Sequence, residues 1–107
     1  METKETLLQK LSDKEILWLS KNLCSTLGIL ETVTLNKLME YSLESPDEKF
    51  AKQFSEICED TRRSRFEIKK HLKILEKEFL VEDAGKGLFG IKYFIIKWEN
   101  ILKIING

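Results

Sequence analysis

Between Ser64 and Val81 the chain reads SRFEIKKHLKILEKEFLV, and the spacing of its apolar residues leaves little choice of local structure. Ile68, Leu72, Leu75 and Phe79 recur at steps of four, three and four, which draws one apolar stripe along an α-helix. Ser64 followed by Glu67 is a capping box. The hydroxyl accepts from the backbone N–H three residues on, and the carboxylate reaches back to the cap. The other side carries Arg65, Lys69, Lys73 and Lys77, with Arg62, Arg63 and Lys70 beside it. One side of this helix seeks a core and the other is cationic. A helix of that form packs on its own domain while presenting charge to a polyanion.

The positive charge is local. The formal net charge is zero, from 18 Lys+Arg and 18 Asp+Glu. Residues 1–61 hold 7 basic and 12 acidic side chains, a net of −5. Residues 62–77 hold 7 and 2, a net of +5, and residues 78–107 hold 4 and 4. With 107 residues and 42% hydrophobic content the chain supports one domain with a real core and is too short for two. Its apolar runs fall short of the roughly 20 residues that span a bilayer, so no membrane association is expected. The opening METKETLLQK lacks the apolar stretch of a signal peptide, and a cytoplasmic location is expected. Cys24 and Cys58 read as reduced, small hydrophobic side chains. With His71 as the single histidine there is no Cys and His set at metal-ligand spacing, and neither a metal nor another cofactor is expected.

Upstream, residues 2–10 suggest a short helix around Leu7, Leu8 and Leu11. Ser12 and Glu15 form a second capping box, opening one long helix that runs to Gly28. Ile16, Leu19, Leu23 and Leu27 make its stripe, widened by Leu17 and Cys24, with Trp18 to one side. The stripe serves either the core or a dimer interface. Thr32 or Thr34 opens a third helix with Leu35, Leu38, Met39 and Leu43 inward. Ser45-Pro46-Asp47-Glu48 combines a Ser cap, Pro at the first helical position and early acids, which predicts a helix to about Cys58 burying Phe50, Phe54 and Ile57. Residues 59–63 then form a polar connection. After Leu80 the period changes. Phe79–Ala84 and Leu88–Lys97 predict two antiparallel strands about a Gly85-Lys86-Gly87 turn. Phe89, Ile91, Tyr93 and Ile95 lie on one face and Phe94 and Ile96 on the other, which needs a cover. Residues 98–105 suggest a terminal helix, placed to cover that face or to meet a second subunit.

Ser64, Ile68, Leu72, Leu75-Glu76 and Leu80-Val81, with Tyr93-Phe94-Ile95-Ile96 as a return strand, resemble the recognition-helix-to-wing pattern of small winged helix-turn-helix transcription regulators of the ArsR and MarR type. The resemblance spans roughly residues 34–98. It implies a mainly α fold with a small β-hairpin wing, a winged helix-turn-helix preceded by one long N-terminal helix. The domain plan is then an N-terminal helical extension over 1–30, the winged domain over 31–98 and a C-terminal helix over 99–107. Phe79 stands where such regulators often have Gly, and the paired-Cys motif of the metal-sensing members is absent. The expected wing tip has Lys86 as its one cation, with Leu88 and Phe89 close behind.

The expected function is sequence-specific binding of double-stranded DNA, in the manner of a transcriptional regulator, with the helix at about 65–78 in the major groove. Arg65, Lys69 and Lys73 would lie near base edges or phosphates, with Arg65 best suited to reading guanine. Arg62, Arg63, Lys70 and Lys86 would neutralise flanking phosphates, and Ser64 and Phe66 would touch sugar or a thymine methyl, with half-burial as the equal alternative for Phe66. The resemblance also implies a homodimer; the candidate contacts are the stripe Ile16, Leu19, Leu23 and Leu27 of the first long helix and the terminal helix, and whether a small-molecule effector exists is left open. The alternative is a winged-helix protein-interaction module in a transcription or replication assembly, which suits the neutral charge and the apolar tip. Catalysis is not expected. His71 sits beside Leu72, at the core margin or half exposed, and the carboxylates are scattered over helix surfaces.

Overall fold

The computed structural model describes residues 20–107. Ile16, Leu19 and the earlier parts of the expected N-terminal helices therefore lie outside the described residues. The first described helix, α1, is Lys21–Leu27. Ser20 is its cap, with extended backbone and a hydroxyl that accepts from the Leu23 N–H at 3.4 Å. The single long helix expected up to Gly28 therefore does not run unbroken: serine competes for backbone donors and starts a helix here instead of lying within one. Gly28, at φ 108°, ends α1 and at once begins α2, Ile29–Glu44.

Helix α2 starts earlier than its threonines suggest. Thr32 and Thr34 are buried inside it and do not cap it: Thr32 Oγ1 donates to the Gly28 carbonyl at 2.7 Å, and Thr34 Oγ1 shares a hydrogen bond of 2.8 Å with His71 Nδ1. His71 is thus interior, not at the margin. Leu35, Leu38, Met39 and Tyr41 are buried with them.

The start signal at Ser45–Glu48 does not open a helix. Ser45 is the extended end residue of α2, and its Oγ accepts from the Asp47 N–H at 3.3 Å. Lys49–Gln53 then form a strand, β1, and the helix α3 begins only at Phe54, running to Thr61. The reason is non-local. Phe50 stands opposite Phe94 of a later strand, its ring 5.6 Å from that of Phe94 and 6.3 Å from Tyr41, so sheet pairing and aromatic packing outweigh a local cap.

Arg62 closes α3 in the left-handed region, and α4, Arg65–Lys77, follows with both halves of the expected capping box present. Ile68, His71, Leu72 and Leu75 are its buried side. Phe79 is not on it. It leaves the helix at φ 60° and is 72% exposed, while its carbonyl accepts from Asn100 Nδ2 at 2.7 Å. Leu80 N–H reaches back to the Leu75 carbonyl at 3.0 Å, the closing bond of a helix end that glycine serves best. Phe79→Gly is therefore expected to stabilise the fold by about 0.5–1 kcal/mol, the relief of left-handed strain less the extra freedom of glycine in the unfolded chain. Thermal unfolding would show it as a rise of a few degrees; a fall would mean the ring packs more strongly than its exposure implies.

Strands β2, Val81–Lys86, and β3, Ile91–Ile96, are joined by Gly87 and a short 3₁₀ turn at Leu88–Gly90. The sheet has three antiparallel strands in the order β1-β3-β2, one more than expected. Phe94 and Ile96 face the helices and are buried, while Ile91, Tyr93 and Ile95 are half-covered on the outer side. The last helix, α5, Trp98–Ile105, buries Ile101 and Leu102 and packs against α1, where Asn22 Nδ2 donates to the Ile105 carbonyl at 2.9 Å.

Leu23 and Leu27, expected at a dimer contact, belong with Ile101 and Leu102 to the same core as α2, α4 and the sheet. Of the two readings of the stripe, core or dimer contact, these two residues take the core: their apolar surface is covered within one chain. Both ends of the described chain share that core. Among the described residues no helix is long and apolar enough to cross a membrane.

Candidate nucleic-acid interface

The buried positions of α4 fix what its other side must show. Arg65, Phe66, Lys69, Lys70, Lys73 and Lys77 are all exposed and fall on one arc of the helix. Lys69, Lys70 and Lys73 make no ion pair with any other described residue. Phe66 lies among these cations and is 77% exposed, an unusual place for a ring of that size.

The remaining expected residues are more constrained. Ser64 is exposed, yet its hydroxyl is engaged at 3.2 Å with both the Glu67 N–H and the Glu67 carboxylate, so its first role is the cap. The Ser64 backbone N–H donates to the same carboxylate at 3.3 Å, and this bond, aided by the hydroxyl, holds the Glu67 carboxyl below its usual pKa. Arg63 is half-buried and 3.8 Å from Glu67. Arg62 is exposed at the α3–α4 corner. The Arg65 guanidinium lies 5.2 Å from the centre of the Phe54 ring, a cation–π contact that aims the side chain at the start of α3. Cys58 lies nearby: burial raises its thiol pKa while the Arg65 charge opposes the rise. Cys24 and Cys58 are both free thiols, and no group of three or more metal-ligating side chains gathers among the described residues.

Lys86 is exposed on β2 and belongs to a feature that the sequence alone does not reveal. Lys52 on β1 stands directly opposite Lys92 on β3, and Lys86 on β2 stands opposite the same Lys92. Three lysines thus form a row across the full sheet. Directly opposed residues project to one side, here the side of buried Phe94. Like charges so placed oppose folding, and acids offset them in part: Glu56 lies 3.6 Å from Lys52 and Asp83 lies 3.6 Å from Lys92. The Tyr41 and Phe94 rings add cation–π contacts at 4.3 and 5.8 Å. The signal in the sequence is the alternation Phe50, Lys52 and Lys92, Phe94, which acquires meaning only once the register is known.

The row and α4 meet at one end of the molecule. Ile91, at the root of the turn, pairs with Gln53; Gln53 adjoins Phe54; and Phe54 carries Arg65 on its ring. The hairpin turn and the N-terminal end of α4 therefore share one end, and Leu88 and Phe89 project there at 77% and 87% exposure.

Buried His71 lies beneath this face. Burial pushes its imidazole pKa below the usual value, against the raising influence of Glu31 and Glu67. Its neutral form is the folded form, so the unfolded chain takes up the extra proton as pH falls through about 6.5, the ordinary histidine value. Stability is expected to be full above that pH and to decline below it. His71→Asn, which keeps a polar atom near Thr34, should flatten that decline in denaturant titrations between about pH 5 and 7; an unchanged slope would exclude His71 as its source.

Comparison of the chain with protein-family models, with curated proteins and with solved structures finds no match.

Proposed function

We propose that this chain is a winged helix-turn-helix protein that binds double-stranded DNA, with α4 as the recognition helix and the β2–β3 hairpin as the wing. The element order supports the fold reading: helix α2, strand β1, helices α3 and α4, then two strands that complete the sheet around β3. The observation that carries the functional reading is the exposed arc of α4, where five cations stand together on a chain of zero net charge. A uniformly mixed surface would not concentrate charge on the one helix whose N-terminal end is flanked by a hairpin. Arg65 is the base-reading residue of this proposal, and Lys69, Lys70, Lys73 and Lys86 meet phosphates. The role is regulatory and non-catalytic.

The proposal includes a homodimer, because one such helix reads only a short stretch and two-fold proteins double it. Its contact is not Leu23 and Leu27, which the core already holds. Sedimentation velocity tests this part, and a monomer both free and on DNA would remove it. The DNA part is tested by titrating a fluorescent random-sequence duplex at two salt concentrations. Wild type should bind in the micromolar range and weaken steeply with salt, and Arg65→Ala/Lys69→Ala/Lys73→Ala should not bind. A folded wild type that ignores duplex at low salt would refute the reading in favour of a protein partner.

A further inference from the structure

The hairpin tip does not suit contact with phosphate alone. Leu88 and Phe89 project into solvent beyond the lysine row, and neither side chain helps the chain to fold by being buried. Phe89 is held at φ 58°, between Gly87 and Gly90, in a backbone region that disfavours a bulky residue. A strained, exposed aromatic at the end of a hairpin costs stability and contributes no packing, so its value lies in what it touches. The lysine row says what that is. Lys52, Lys92 and Lys86 place like charge across three strands just behind the tip; Glu56 and Asp83, each at 3.6 Å, offset that charge in part, and a polyanion would offset the rest. Gln53, opposite Ile91 at the root of the hairpin, adjoins Phe54, whose ring carries Arg65, so the hairpin root is linked to the start of α4.

Building on the DNA-binding reading above, we propose that the Leu88–Phe89 tip is an apolar wedge that enters the base stack of the bound duplex while the Lys52–Lys92–Lys86 row holds the adjoining backbone phosphates. An apolar side chain pushed between base pairs must first unstack them, and that cost falls where a base is already unpaired. The partner is accordingly a duplex with an easily opened step, and binding bends it.

The test uses the whole chain and a short fluorescent duplex, either fully paired or carrying one unpaired nucleotide, with end-to-end energy transfer reporting the bend. Wild type should bind the interrupted duplex about tenfold more tightly, the scale of one base stacked on an aromatic ring. Leu88→Ser/Phe89→Ser alters only exposed side chains. It should abolish that preference and the bend, with circular dichroism unchanged. Lys52→Gln/Lys92→Gln should weaken both duplexes alike and reduce the salt slope by about two. Equal wild-type affinity for the two duplexes, or a preference that survives in Leu88→Ser/Phe89→Ser, overturns the wedge and leaves the α4 reading standing. Absence of binding to either duplex overturns both, and points to a protein as the partner of the tip.

Discussion

Phe94→Ala is expected to lower the free energy of unfolding by about 3–5 kcal/mol, a large share of the roughly 5–15 kcal/mol that holds a domain of this size together. Phe94 is on β3, the central strand, and is buried with its ring 5.6 Å from Phe50. Removing it leaves a cavity that neither flanking strand can close, because each is fixed by its own pairing with β3. It also strips one partner from Phe50, whose burial is the reason that β1 exists at all. Denaturant unfolding should show a lower midpoint with little change in slope. Phe89→Ala serves as the contrast. The same chemistry removed from an exposed turn should shift stability by no more than about 0.5 kcal/mol. If the two variants proved equally destabilising, the arrangement of buried and exposed aromatics on this hairpin would be wrong.

That contrast also shows why some of this fold is legible in the sequence and some is not. Helix α4 is readable because everything that defines it is local: a stripe at helical spacing, Ser64 and Glu67 in reciprocal contact, and a basic side that has nowhere to go but solvent. The strands of the hairpin are readable for the same reason, and the hairpin does turn close to Gly87. What misleads is local signal overridden by distant partners. Ser45–Glu48 has every mark of a helix start, yet Phe50 is claimed by Phe94, forty-four residues later, and the segment becomes a strand. Thr32 and Thr34 look like caps because threonine often is one. Inside α2 their hydroxyls instead bond the Gly28 carbonyl and His71, and the second of these bonds is invisible until α2 and α4 are packed together. The apolar stripe through Leu23 and Leu27 does seek cover, but not from a second subunit, because the helix that covers it, α5, lies at the other end of the chain.

The candidate interface divides in the same way. Arg62, Arg63, Arg65, Lys69, Lys70 and Lys73 emerge from counting along one helix, and the structure leaves most of them exposed. Lys52 and Lys92 escape that count because a row across a sheet is a property of register, not of spacing. For Phe66 the pattern is silent on direction, since one ring at the edge of an amphipathic stripe turns inward as readily as outward; packing puts it outward, among the lysines.

The charge on α4 gives the sharpest test of what that surface does. Neutralising Arg65, Lys69 and Lys73 together should lower the dependence of log affinity on log salt by about 0.9 for each phosphate no longer neutralised, close to three for the triple variant. That should weaken binding by at least about a hundredfold at moderate salt, with Arg65 alone contributing about 1–3 kcal/mol if it reads a base. All three side chains are exposed, and none belongs to the buried side of the helix, so circular dichroism should show an unchanged fold. The decisive control is a second triple variant, Lys21→Ala/Lys37→Ala/Lys103→Ala. It alters the net charge of the molecule by the same amount but removes cations from α1, α2 and α5. If affinity follows total charge, both triples will weaken equally, and attraction is unspecific. If affinity follows placement, the α4 triple alone will weaken, because a phosphate meets only the cations that face it. Equal, undiminished binding by the two variants would show that DNA does not touch α4, whatever its charge.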